Sequence, residues 1–186
     1  MRILPTGRKN RKAGGFTLVE LSLVAVLIVV LAAVAAPAFA GFWRATQVRA
    51  CAWQIATLAR AARDYSICHG AQASLGYDSE KREFRLAAES DPVNAPGEFA
   101  DLRLASAQPV KVPDAVQDVE IWVEGQAWDQ DRPPVFFADG QALHAQVVLQ
   151  TESGSALSVE VRPLTGRARV VEADVHEVEE NANEQQ

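Results

Sequence analysis

The first strong pattern in the chain is a long run of apolar side chains. Residues 21–40 contain no charged residue, and a helix built from them is apolar on every face. About twenty such residues span the hydrocarbon core of a bilayer. The pattern therefore predicts a transmembrane helix within residues 16–40.

Apolar side chains continue at helical spacing beyond this run. Between residues 41 and 70 they recur every three or four positions, whereas arginine and glutamine occupy much of the opposite face. The apolar set consists of Val48, Cys51, Ala52, Ile55, Leu58, Ala59, Ala62 and Tyr65. This period predicts that the helix continues as an amphipathic half, residues 41–70, which buries one stripe on a sheet.

After Gly70 the apolar period changes to two, which indicates β-strands. Residues 88–97, rich in Pro, Asn and Gly, and residues 125–134 are predicted loops. The fold class is α+β: a long N-terminal helix packed on an antiparallel β domain, residues 71–172, most simply arranged as two sheets. The predicted strands are 71–77, 83–88, 101–105, 119–124, 134–137, 145–151, 156–162 and 167–172.

The charge distribution predicts how the chain is oriented in a membrane. Residues 1–15 contain five basic residues and no acidic one. The positive-inside rule therefore keeps the N-terminus in the cytoplasm and places the β domain in the periplasm. Residues 173–186 form an acidic tail without lysine or arginine, which we expect to be solvated and flexible. The net charge of −6 argues against nucleic acid as a partner.

Two cleavage patterns flank the apolar run. The small residues 36–40 resemble a signal peptidase site at its distal end. The segment 14–20, Gly-Gly-Phe-Thr-Leu-Val-Glu, lies at its cytoplasmic end instead. A signal peptide has no use for the carboxylate of Glu20 at that position, so the second pattern is favoured.

The segment from Gly14 to about Phe39 resembles the cleavage and methylation segment shared by type IV pilins and type II secretion pseudopilins. The resemblance implies that a prepilin peptidase removes the leader peptide, residues 1–15. Gly15 would then be the residue before the cut, and Phe16 would become the N-methylated first residue.

The same resemblance gives Glu20 a role in assembly. A charge at the membrane edge costs roughly 2–3 kcal/mol or more unless it is paired. In this family Glu20 would pair with the amine of Phe16 on a neighbouring subunit. The alternative is a carboxylate that only stabilises the start of a helix. Pro37 is expected to kink the helix or to loosen it on packing.

The region from about Gln47 to Val171 resembles the H-type pseudopilins. The resemblance rests on the arginine- and alanine-rich helix, on residues 135–140, Val-Phe-Phe-Ala-Asp-Gly, and on a closing strand pair ending at residues 162–167. It implies that the phenylalanines are core residues and that Asp139-Gly140 forms a hairpin turn.

Together the two resemblances imply a minor subunit of a type II secretion pseudopilus in the bacterial inner membrane. Its expected partners are the prepilin peptidase, other pseudopilins, an inner-membrane platform protein and the secretion ATPase. The alternative is a minor pilin that binds DNA for uptake. Arg167 and Arg169 carry that alternative, because alternate residues of a strand can meet successive phosphates. The competing interpretation pairs these arginines with the acidic residues that follow.

Catalytic and metal-binding patterns are weak. His69, His144 and His176 lack a second ligand at metal-like spacing, and Asp129 with Asp131 lacks the glycine and further ligands of a calcium loop. No nucleophile or phosphate-loop motif occurs, so we expect no enzyme and no cofactor.

The two cysteines, Cys51 and Cys68, lie on one predicted helix, too far apart for a bridge, and are predicted to be buried free thiols.

Overall fold

A computed structural model describes residues 16–91, 94–104, 107–128, 133–152 and 154–173. The described residues form one helix, α1 (Leu18–His69), and ten strands. The strands are β1 (Ala73–Asp78), β2 (Glu83–Asp91), β3 (Ala95–Asp101), β4 (Val110–Lys111), β5 (Val116–Val123), β6 (Gln126–Ala127), β7 (Val135–Phe136), β8 (Ala145–Thr151), β9 (Ala156–Val161) and β10 (Ala168–Ala173).

The strands form two antiparallel sheets, as predicted. The first sheet has the order β3-β2-β1-β7, with β4 paired to β2. The second sheet has the order β10-β9-β8-β5-β6. Every pairing is antiparallel, and hairpins connect β1 to β2, β5 to β6, β8 to β9 and β9 to β10. The α+β prediction is therefore confirmed.

The chain divides into two compact units, Met1–Phe42 and Trp43–Gln186. The core of the second unit forms where the apolar stripe of α1 meets the sheets. From Val48 to Ala62 every residue of the predicted stripe is buried, and Tyr65 is half-buried. Many of these residues are alanine, whose small side chain lets the sheets approach the helix closely. Phe84 and Phe136 fill the space opposite and are fully buried.

The prediction for residues 88–105 is wrong in two places. Residues 88–97 were predicted to be a loop, but β2 continues to Asp91 and β3 begins at Ala95. Residues 101–105 were predicted to be a strand, but β3 ends at Asp101. The register between β2 and β3 shifts at a bulge between Glu89 and Asp91. The Glu89 carboxylate accepts a hydrogen bond from the N–H of Gly97 at 2.8 Å. β3 is an edge strand, where proline and glycine are tolerated, so the turn-forming residues did not exclude a strand.

Two short strands were missed, and one turn was predicted correctly. β4 was not predicted, and β6 lies inside the predicted loop 125–134. Asp139-Gly140 does form a turn, since the N–H of Gly140 donates to the carbonyl of Phe137 at 3.0 Å and Gly140 has a φ of 84°. Phe136 is a core residue as predicted, whereas Phe137 is only half-buried.

In the first unit the described residues belong mainly to α1, whose range includes position 37. Large apolar side chains are exposed along it, from Phe16 at 74% through Leu18 at 84% to Val34 at 74%. Among the described residues, no helix is both long enough and apolar enough to cross a membrane.

Candidate functional site

The predicted processing site lies at the start of α1. Gly15 falls outside the described residues. Phe16 is the first residue described, and its side chain is largely exposed. The hydroxyl of Thr17 accepts a hydrogen bond from the backbone N–H of Glu20 at 3.3 Å, which makes Thr17 the N-cap of the helix.

Glu20 lies in the first turn of α1 and is exposed. A carboxylate there interacts favourably with the partial positive charge of the helix start. Thr17 and Glu20 also have the Thr-x-x-Glu spacing of a capping box, a signal that the sequence analysis did not use. The local geometry fits a helix-start role for Glu20, and the carboxylate remains exposed.

The apolar side chains that follow Glu20 form an extended exposed surface. Leu21, Leu27, Val29 and Leu31 are each between 58% and 67% exposed, and they point in different directions around the helix. Soluble monomers rarely expose contiguous apolar patches larger than a few hundred Å². The exposed apolar side chains of the first unit therefore form a candidate contact surface.

The arginines of α1 in the second unit differ in exposure and in their contacts. Arg44 and Arg49 are exposed, and they form ion pairs with Glu152 at 3.1 Å and with Glu172 at 3.7 Å. Arg60 is also exposed, and its guanidinium carbon lies 5.9 Å from the centre of the Trp53 ring. These side chains present positive charge on the surface of the helix.

Arg63 has a structural role instead, because its side chain is 29% exposed and joins two loops to the helix. Its Nε donates to the carbonyl of Thr165 at 2.7 Å and to that of Gly140 at 3.2 Å. Gly166 lies against the same group with a φ of 56°, and an added Cβ would be 2.6 Å from the Gly140 carbonyl oxygen. Only glycine fits there without a shift of the backbone.

Of the two candidate DNA-contacting arginines, Arg169 lies on β10, at the edge of the second sheet, and Arg167 immediately precedes that strand. Arg167 is exposed. Arg169 lies directly opposite Glu160 of β9, and its Nη2 is 2.6 Å from the Glu160 carboxylate. Arg169 is therefore paired with a cross-strand residue, and Glu172, the described one of the acids that follow it, pairs with Arg49 instead. The other acids of the expected pairing lie outside the described residues. Cross-strand neighbours of a hairpin meet more readily than residues along one strand.

The cysteines differ in their surroundings. Both are free, and both lie on α1 as predicted. Cys51 is buried, and burial raises the pKa of its thiol to about 11. Cys68 is exposed, so the prediction of a second buried thiol is wrong. The apolar stripe ends near Tyr65 and Ser66, and Cys68 lies on the solvent side of the last turn.

The described histidines are held by local contacts. His69 stacks on Tyr65 with ring centres 4.0 Å apart, and the backbone N–H of His144 donates to the Glu124 carboxylate at 2.5 Å. His176, Asp129 and Asp131 lie outside the described residues. Within the described part of the chain, no cluster of three His, Cys, Asp or Glu side chains is arranged to hold a metal ion.

An open cleft of about 680 Å³ lies beside the β5–β6 hairpin. Apolar and aromatic side chains line much of it, among them Tyr77, Phe99 and Trp128, and Glu124 is the carboxylate at its wall. Glu124 is already engaged by the backbone of His144.

Comparison with known proteins supports the fold of this chain at low sequence identity. No protein-family model matches the sequence, and no curated protein sequence matches it either. Three solved structures match its fold.

One is the minor pseudopilin EpsH from the type 2 secretion system of Vibrio cholerae. It has a TM-score of 0.52 and 9% identity, over 68% of this chain and 97% of EpsH. A separate crystal structure of EpsH has a TM-score of 0.54 and 10% identity, over 69% and 96%. The solution structure of Escherichia coli GspH has a TM-score of 0.50 and 16% identity, over 69% and 89%. This chain therefore shares the fold of these proteins.

Proposed function

We propose that this chain is a minor structural subunit of a type II secretion pseudopilus. The observation that carries the proposal is the combination of an EpsH-like fold with an exposed apolar helix that begins at Leu18, two residues after Phe16. Its role is to assemble with other pseudopilins and to help drive folded proteins out of the cell. Such a role is mechanical and requires no catalytic group.

Processing precedes assembly in this proposal. A prepilin peptidase cuts between Gly15 and Phe16 on the cytoplasmic side and methylates the new amine. The support is the Gly-Gly-Phe-Thr-Leu-x-Glu sequence at residues 14–20. The exposed position of Phe16 and the cap formed by Thr17 support this proposal, because the cut would then lie just before the start of α1.

The subunit is anchored in the inner membrane by a single pass, with residues 1–15 cytoplasmic before cleavage and the β domain periplasmic. The uncharged run 21–40 and the five basic residues before it support this orientation. In the membrane, the apolar side chains that are exposed on α1 are covered by lipid before assembly and by other helices after it.

Assembly depends on charge pairing at the helix start. Methylation leaves the Phe16 amine cationic, and in a helix bundle that cation needs an anion nearby. Glu20 of the adjacent subunit lies one turn from its own N-terminus and supplies that anion. The inner-membrane platform protein and the secretion ATPase would supply the energy for insertion.

The proposal is tested by separating processing from assembly. We expect Glu20→Val to be cleaved normally on a gel but to lose co-purification with partner pseudopilins. Glu20→Asp should retain part of this co-purification, because the negative charge is kept although the side chain is shorter. Thr17→Ala serves as the control, because it removes the cap but keeps the carboxylate. If Glu20→Val co-purifies with partner pseudopilins and supports secretion as well as the wild type does, the role of Glu20 is limited to stabilising the start of the helix.

A DNA-binding minor pilin is the second candidate. Arg167 is exposed just before β10, the edge strand of the second sheet, which favours access by a polyanion. Arg169, however, is paired with Glu160. Binding of the mature chain to DNA at moderate salt, abolished by Arg167→Gln, would favour this candidate over the pseudopilus subunit.

A further inference from the structure

The open cleft beside the β5–β6 hairpin has an aromatic wall to which both sheets contribute. Tyr77 belongs to β1 and Phe99 to β3 of the first sheet, whereas Trp128 directly follows β6 of the second. The rings of Tyr77 and Trp128 meet edge to face, with their centres 6.2 Å apart. All three side chains are half-buried, so part of each remains accessible. With a volume of about 680 Å³, the cleft has the size of ligand-binding clefts.

Glu124 is the only charged residue in the described lining of this cleft. It is exposed, and its Oε1 accepts a hydrogen bond from the backbone N–H of His144. Its Oε2 has no hydrogen-bond partner among the described residues. The faces of aromatic rings attract cations, and so does a carboxylate. Both features of the cleft are therefore complementary to a positively charged side chain.

The backbone at Glu124 supports a role for its side chain. Glu124 and Gly125 form the two-residue turn between β5 and β6, with φ values of 51° and 75°. Turns with two positive φ values prefer asparagine, aspartate or glycine at the first position, and a positive φ is uncommon for other residues. Positions that break a local rule in this way are expected at functional sites.

β1 provides unpaired backbone groups at the same cleft. β7 pairs only with Ala73 and Ser74 of β1, and beyond it the N–H of Leu75 donates to the carbonyl of Pro134 at 3.1 Å. Alternate residues of an antiparallel strand direct their backbone groups to the same side. The N–H and C=O of Tyr77 therefore point away from β2, as those of Leu75 do. Within the described part of the chain, these two groups of Tyr77 have no partner.

We propose that this cleft binds an extended segment of a partner protein that carries a lysine or an arginine. The backbone of the segment pairs with Tyr77 at the free edge of β1, in the manner of an added strand. Its cationic side chain lies against the aromatic wall, with the charge at Glu124. The occupant follows from charge complementarity, because an acidic residue at the same place would be repelled by Glu124.

This inference goes beyond the pseudopilus role and does not depend on it. All residues that form the cleft belong to the second unit, and binding can be measured without any other subunit. Failure to bind a basic segment would leave the results on cleavage and on Glu20 unchanged. Normal binding would likewise not rescue a failed processing experiment.

The test uses the full chain in zwitterionic detergent and the acetylated, amidated peptide Thr-Val-Thr-Lys-Thr-Val-Thr as the probe. The indole N–H of Trp128 is buried without a hydrogen-bond partner within the described residues, so its NMR signal reports on the cleft; Trp128→Phe assigns it. Trp53 on α1 lies outside the described lining and is the internal control. Two altered peptides serve as matched controls: one has norleucine in place of lysine, and the other is methylated on the lysine backbone nitrogen.

We expect the lysine peptide to shift the Trp128 signal saturably, to leave the Trp53 signal in place and to slow amide exchange at Tyr77. The norleucine peptide and the N-methylated peptide should each bind about tenfold more weakly, because each lacks a hydrogen bond. Glu124→Gln should weaken binding of the lysine peptide by about the same factor and leave binding of the norleucine peptide unchanged. Glu80→Gln, an exposed carboxylate outside the described lining, is the matched control and should bind like the wild type.

Any of three results would overturn the proposal. The first is a Trp128 signal that does not shift saturably with the lysine peptide in a chain whose circular dichroism shows that it is folded. The second is equal binding of the lysine and norleucine peptides, which would mean that no charge is recognised. The third is equal binding of the N-methylated peptide, which would mean that the edge of β1 does not pair with the segment.

Discussion

Gly166 provides a sharp test of how the C-terminal hairpin is fixed to the helix. Replacement by alanine would place a Cβ 2.6 Å from the Gly140 carbonyl oxygen and 2.9 Å from Cδ of Arg63. The backbone at Gly166 has a φ of 56°, which costs a residue with a Cβ about 1–2 kcal/mol. Displacing Arg63 from the carbonyls of Thr165 and Gly140 removes charged hydrogen bonds worth about 1.5–3 kcal/mol.

The free energy of unfolding should therefore fall by about 3–4 kcal/mol in Gly166→Ala. Gly154→Ala is the matched control: it has a similar φ of 79°, but no atom lies within 4 Å of the added Cβ, so it should lose only about 1–2 kcal/mol. Urea unfolding followed by circular dichroism measures both. Equal losses in the two variants would refute the close contact between Gly166, Gly140 and Arg63.

Three further predictions follow from burial and from the cleavage motif. At pH 8, iodoacetamide should label Cys68 in the folded chain and leave Cys51 unlabelled until urea unfolds the protein. The reason is that Cys51 is buried and that burial raises the pKa of its thiol to about 11, whereas Cys68 is exposed. Equal labelling rates for the two cysteines would contradict this prediction. Phe136→Ala should lower the free energy of unfolding by about 3–5 kcal/mol, whereas Leu164→Ala, 83% exposed in the wild type, should change it by less than about 0.5 kcal/mol. Gly15→Leu should leave the precursor uncut on a gel, and normal processing of this variant would disprove the proposed cleavage site.

The parts of the fold that follow local periodicity could be predicted from the sequence. Every predicted stripe residue from Val48 to Ala62 is buried, because a helix face repeats every three to four positions, although the buried Ala56 was missed. The strands β8 and β9 were predicted almost to their ends from alternation. In each case the signal lies within a few neighbouring residues.

Features that depend on distant residues could not be predicted in this way. β3 contains proline and glycine, and its pairing with β2 outweighs their turn preference. Arg169 meets Glu160 only because the β9–β10 register places them opposite each other. The role of Arg63 requires Gly140 and Thr165, which lie 77 and 102 residues away in sequence.

The candidate processing site could be predicted from sequence, although part of its local structure was missed. The motif at residues 14–20 is recognised from the amino-acid sequence alone, without knowledge of the fold. Thr17, however, was not singled out, although Thr-x-x-Glu is a known helix-start signal. Its contact with the N–H of Glu20 shows that the motif also encodes the beginning of α1.

The central claim is that this chain is processed as a pilin-like precursor before it assembles. The most direct measurement is the N-terminal sequence and mass of the chain isolated from membranes of cells that contain a prepilin peptidase. The account predicts a single chain that begins Phe-Thr-Leu-Val-Glu at Phe16, with one methyl group on the terminal amine. A mature chain that begins at Gly41 would show signal peptidase cleavage instead and would contradict the account.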